Sequence, residues 1–176
     1  MLLFLYMESI KKQKEFELLV KSLAMAIHSF YLRQIINEEL SKKLYTENRF
    51  LWDTISLGLE QSYLIGLAKF FERPRVLDES ISVYYFFDFG NNDSINKIKK
   101  FRNKLIAHHD KKLTNDSFLE DLRMNDDEIE EMFTMAMQAI EDLKEKFGYK
   151  WDDHVITGFP VDKEILRKQF KNLVNK

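Results

Sequence analysis

Residues Lys97–Lys112 read KIKKFRNKLIAHHDKK, and the rest of the chain is organised around them. At roughly 100° per residue, Ile95, Ile98, Phe101, Leu105 and Ile106 fall on one arc of a helix, while Lys97, Lys99, Lys100 and Lys104 fall outside it. Arg102 and His109 lie inside that arc and His108 at its edge, beside Phe101. The stretch carries Lys97, Lys99, Lys100, Arg102, Lys104, Lys111 and Lys112 against the single acid Asp110. An amphipathic helix with an arginine on its inward side needs an explanation, because a buried guanidinium is costly unless paired. Either an acid on another helix, such as Glu60 or Glu72, takes Arg102, or the arc lines a groove where Arg102 meets an anion.

Outward from this helix, the pattern stays helical. Before it, no proline interrupts Glu8 to Phe71, and Ile10, Phe16, Leu19, Val20, Leu23, Ile27, Phe30 and Tyr31 recur at helical spacing. The polar stretch Asn37–Asn48 predicts a turn or kink. A second helix is expected over about Glu47 to Glu72, ended by Pro74. Leu51, Trp52, Ile55, Leu59, Tyr63 and Phe70 cover one of its sides and Leu57, Leu64 and Phe71 much of the other. A helix apolar all round is expected to be buried among its neighbours or between subunits. Ser62 and Gly66 on it permit close helix approach. Residues Arg73–Asn92 form a long connection holding the aromatic run Val83–Phe87, and Asp93 or Ser94 is the expected cap of the basic helix.

After the basic helix, Asn125 or Asp126 starts an amphipathic helix striped by Ile129, Met132, Phe133, Ala136, Ile140, Leu143 and Phe147, with Gly148 as its stop. Core packing is the favoured reading of Met132, Met135 and Met137. The segment Tyr149–Pro160 reads as irregular. A short helix over Val161–Val174 follows, striped by Ile165, Leu166, Phe170 and Leu173. The expectation is an all-α protein: one helical domain over 1–176 with its core at about 8–147 and an extension at 149–176.

Composition agrees. In 176 residues there are 15 Phe but only 5 Gly and 2 Pro, too little turn material for many short strands. The net charge of −2 hides a segregation, since the acids of Asp116–Glu131 follow directly on the basic stretch. Two neighbouring helices whose charged faces pair with each other would explain it equally well. The absence of cysteine excludes disulfides, thiolate metal sites and a cysteine nucleophile. No run approaches the ~18 apolar residues of a membrane span, and MLLFLYM at the start lacks the basic leader of a signal peptide. A cytoplasmic location is expected, with Met7 an alternative start to Met1. His28 and His154 are isolated, and the Asp152-Asp153-His154 run is a poor chelate, so no metal or cofactor is expected.

The run Arg102-Asn103-Lys104-Leu105-Ile106-Ala107-His108 resembles the arginine, polar residue and histidine signature of the HEPN superfamily (higher eukaryotes and prokaryotes nucleotide-binding). With the upstream Leu64-Ile65-Gly66-Leu67-Ala68-Lys69-Phe70-Phe71-Glu72-Arg73, it is closest to the abortive-infection, AbiU-like branch, over roughly Phe50 to Asp110. The resemblance implies a helical bundle of about five helices that dimerises through the motif-bearing faces. Many such proteins are metal-independent endoribonucleases of phage defence or toxin–antitoxin systems; others are binding modules without cleavage. Carried over, it makes Arg102 the phosphate-stabilising group, His108 the general acid–base and Asn103 an orienting residue. His109 is the rival histidine and Asp110 an auxiliary residue. Lys99, Lys104 and Lys111 would follow an RNA backbone, and the expected partners are a second copy, RNA and an antitoxin protein.

Overall fold

The computed structural model describes residues 2–72, 83, 89, 92–107, 124–148 and 162–174, with side chains at 13–40, 46–72, 83, 89, 92–103, 124–146, 148 and 162–172. Among the described residues, five α-helices carry the regular structure: α1 (Leu2–Glu47), α2 (Arg49–Phe70), α3 (Asp93–Ala107), α4 (Asp126–Phe147) and α5 (Lys163–Val174). No strand occurs among the described residues. The fold is all-α, as an HEPN-like bundle of about five helices requires. No described helix is long and apolar enough to cross a membrane.

The chain divides into two compact units, Met1–Val20 with Leu67–Lys150, and Lys21–Gly66 with Trp151–Lys176. The first contains α3 and α4, which pack against each other. Its core includes Phe16, Leu19, Leu67, Phe70, Phe71, Ile95, Ile98, Ile129, Met132, Ala136, Ile140 and Leu143. Of the aromatic connection, Val83 is fully buried, and Phe89 meets Phe71 edge-on at 5.2 Å; residues 84–88 lie outside the described set. Asn125 and Glu128 form a reciprocal capping box on α4, and Gly148 closes that helix with a positive φ of 64°. The cap of α3 is Asn92, whose Oδ1 accepts from the Ile95 amide at 3.0 Å. The expected Asp93 lies instead in the first helical turn, where its charge suits the helix dipole.

In the second unit the helical spacing of α1 is filled by Leu23, Ala26, Ile27, Phe30 and Ile35, all buried. Gly66 lets α2 approach closely: a Cβ there would sit 2.6 Å from that of Ala26. Ser62 and Ser29 share a 2.9 Å hydrogen bond, and Tyr63 lies edge-on to Phe30 at 5.2 Å.

Three expectations need correction here. The polar stretch Asn37–Asn48 does not turn until its end, because α1 continues to Glu47. Its polarity serves ion pairing instead: Glu38 meets Lys163 and Arg167 of α5, and Glu39 meets Lys171. The break falls at Asn48, whose Oδ1 caps α2 through the Leu51 amide. Of the two burials expected for α2, the one among neighbours within the chain does not hold for its first half, since Phe50 is 82 %, Leu51 43 % and Leu57 53 % exposed. Burial on α2 begins at Tyr63. On α5 the inward residue is Leu166, while Ile165 is 52 % exposed. With Lys163 and Arg167 turned toward Glu38, that helix presents a face that is largely charged.

Candidate functional site

Arg102 sits two turns into α3, on the side that buries Ile95 and Ile98. Its side chain is only 17 % exposed. The compensation that its burial demands is present. Glu72, just past the end of α2, accepts from Nη1 at 2.6 Å and from Nη2 at 2.9 Å, a bidentate pair. Asn103 Oδ1 accepts from Nε at 3.2 Å and again from Nη2 at 2.9 Å. Four of the five guanidinium N–H donors are thereby engaged. Of the two acids open on sequence, Glu72 takes Arg102, while Glu60 lies 3.7 Å from Arg33.

Glu72 can reach Arg102 because α2 ends early. The Phe71 amide still bonds to the Leu67 carbonyl, but the Glu72 amide turns to that of Lys69. Buried Phe70 and Phe71, stacked edge-on at 5.0 Å, anchor this end. A helix terminus packed through two buried rings therefore presents the carboxylate to α3.

The basic residues around Arg102 divide. Lys97 bonds Glu128 of α4 at 3.0 Å, which ties the basic helix to the acidic one. The Asn125 amide, with Lys97, holds the Glu128 carboxyl below its ordinary range. Lys99 is half-buried and Lys100 exposed. Lys104 lies within α3; its side chain lies outside the described set, as do His108, His109, Asp110 and Lys111 altogether. Thus the structure brings together Arg102 and Asn103 of the sequence-predicted site. It adds Glu72, which the sequence offered only as a structural partner. The nearest signal for it was its place in the upstream LAKFFERPR run.

His28 is half-buried in the second unit, and burial lowers its pKa below the ordinary 6.5. His154 lies outside the described residues. Among the described residues, no group of three His, Asp or Glu is arranged to hold a metal ion.

The HEPN_AbiU2 (AbiU2) family model matches residues 88–159. This segment is similar to the AbiU2 family of HEPN modules. It holds α3 with Arg102 and Asn103, the run through His108 and His109, and all of α4. The AbiU2 match extends further downstream than the resemblance drawn from sequence and begins after Glu72, so that the carboxylate on Arg102 comes from outside the matched segment. The matched segment covers less than half of the chain. No curated protein and no solved structure matches the chain significantly.

Proposed function

We propose that the protein is a metal-independent endoribonuclease of the HEPN type, cytoplasmic and homodimeric, acting in phage defence or a toxin–antitoxin system. One observation carries the reading: within the AbiU2 segment, a fixed arginine stands on the partly buried face of α3, six residues before His108. RNA supplies the nucleophile, its 2′-OH. A histidine, ordinarily titrating near ~6.5, takes that proton at neutral pH. An arginine fork donates to the phosphate as negative charge grows in the transition state. His108 is the general base in this scheme, with His109 its rival and Asp110 auxiliary, while Asn103 orients the reacting groups. Lys99, Lys104 and Lys111 follow the RNA backbone. A second copy completes the site, and the uncovered Phe50, Leu51 and Leu57 of α2 support a surface that association would bury. An antitoxin protein is the expected regulator.

A specific observation favours a second reading. Glu72 and Asn103 already saturate most of the Arg102 donors. A non-catalytic HEPN module, in which Arg102 serves packing and the protein binds a nucleic acid or another protein, would use the arginine in this way. The two readings part on cleavage of total cellular RNA by the purified protein. The nuclease reading expects His108→Ala and Arg102→Ala each to abolish cleavage while the fold persists. Cleavage unchanged in both variants would sink it, and a wild type that never cuts moves the weight to the binding module.

A further inference from the structure

The Arg102 guanidinium has two hydrogen-bonding edges, and acceptors of unequal strength fill them. Glu72 takes the Nη1/Nη2 edge with both carboxylate oxygens, at 2.6 and 2.9 Å. Asn103 takes the Nε/Nη2 edge with one amide oxygen, at 3.2 and 2.9 Å. The first edge is bonded to an anion, held by a helix end packed through Phe70 and Phe71. The second is bonded to a neutral amide on an exposed neighbour in the same helix.

A guanidinium bonded to an anion gains a Coulomb attraction that its bond to a neutral amide lacks. A phosphate bringing two anionic oxygens therefore outcompetes the Asn103 amide. Against the Glu72 carboxylate, itself an anion held at 2.6 and 2.9 Å, it has no such advantage. The same asymmetry appears in exposure: Asn103 is exposed, while Glu72 and Arg102 are partly buried.

We infer that Arg102 meets a phosphate anion through its Nε/Nη2 edge, that Asn103 yields this edge when the anion arrives, and that Glu72 is a positioning residue holding the opposite edge throughout. This rests on the proposed reading only in taking the anion to be RNA backbone phosphate. It also reconciles an arginine with most of its donors engaged with a role in binding, since the edge that must open is the weakly held one.

The test follows the Arg102 Nε–H by ¹⁵N NMR on the full chain, its resonance assigned by its loss in Arg102→Lys, during titration with inorganic phosphate. In the wild type the resonance is expected to shift saturably. In Asn103→Ala, where the competing acceptor is gone, saturation should come at least twofold earlier. In Glu72→Gln, which keeps one acceptor and so the fold, exchange of this proton with water should accelerate at least tenfold. Its shift at saturating phosphate should there fall below half the wild-type value. An unmoved Nε–H in the wild type, weaker phosphate binding in Asn103→Ala, or a Glu72→Gln protein that responds like the wild type would each overturn the assignment. Cleavage assays on the same samples separate this from the nuclease reading. A protein that shows the response but never cuts RNA keeps the edge assignment and loses the nuclease. A protein that cuts RNA with an unmoved Nε–H keeps the nuclease and loses the edge assignment.

Discussion

Arg102 and Arg167 are each tied to a glutamate on another segment, and they are held differently. In the first unit, Arg102 has its guanidinium plane set by two acceptors on two edges, one of them bidentate. In the second, Arg167 of α5 bonds Glu38 through Nη2 only, and its Nε lies 3.7 Å from Glu164. Glu38 is shared with Lys163. The first arrangement fixes an orientation; the second sums charges across a seam between α1 and α5. Arginine chemistry is used for its geometry in one place and for its charge in the other.

The largest effect that could break this comparison is catalytic. Arg102→Lys should lower RNA cleavage by about 100-fold or more, since lysine keeps the charge and loses the fork. Arg167→Lys should leave cleavage within about twofold. Equal losses in single-turnover assays would mean that the two sites do not differ as described.

Stability comes next. Glu72→Ala strips a partly buried guanidinium of its carboxylate and should cost about 2–4 kcal/mol in urea unfolding. Glu38→Ala loosens two more exposed cations and should cost about 1 kcal/mol or less, a difference that closes in roughly 0.5 M NaCl. A salt-sensitive Glu72→Ala deficit of similar size to that of Glu38→Ala would contradict the account.

The second unit also has a contact fixed by shape, and α2 contains its own control. Gly66→Ala drives a methyl into Ala26 and should destabilise by about 1–3 kcal/mol. Gly58→Ala meets open space and should stabilise by about 0.5–1 kcal/mol through helix propensity. Thermal melts of the two variants should move in opposite directions.

The smallest effect is in pH. The His28 pKa is lower folded than unfolded, so the unfolded chain binds the proton more readily, and stability falls as pH drops below the ordinary 6.5. Glu128 acts later. Its depressed pKa contributes stability above the ordinary 4.5, and that contribution is lost as pH falls through the lower folded value. A melt series from pH 7.5 to 5 should therefore flatten in His28→Gln and not in Glu128→Gln.

Much of this was readable in the sequence where the physics is local. Helical spacing gave α3 and α4, Asn125 and Gly148 marked the ends of α4, and the arc placed Arg102 inward. What was not legible is decided by partners distant in sequence. Glu60 and Glu72 were equally good acids for Arg102 until the end of α2 brought one to α3 and left the other beside Arg33. Glu38 and Glu39 looked like turn residues because α5, which pairs them, lies more than a hundred residues away. Leu51 and Leu57 read as buried because spacing counts apolar residues and not the neighbours available to cover them.

The most direct test of the central claim is cleavage in EDTA of a single-stranded RNA and of its 2′-O-methyl counterpart, with His108→Ala beside the wild type. The account predicts that the wild type cuts only the RNA, with the chelator present, and that the folded His108→Ala protein cuts neither. Cleavage of the 2′-O-methyl strand, cleavage that EDTA abolishes, or cleavage that survives loss of His108 would contradict it.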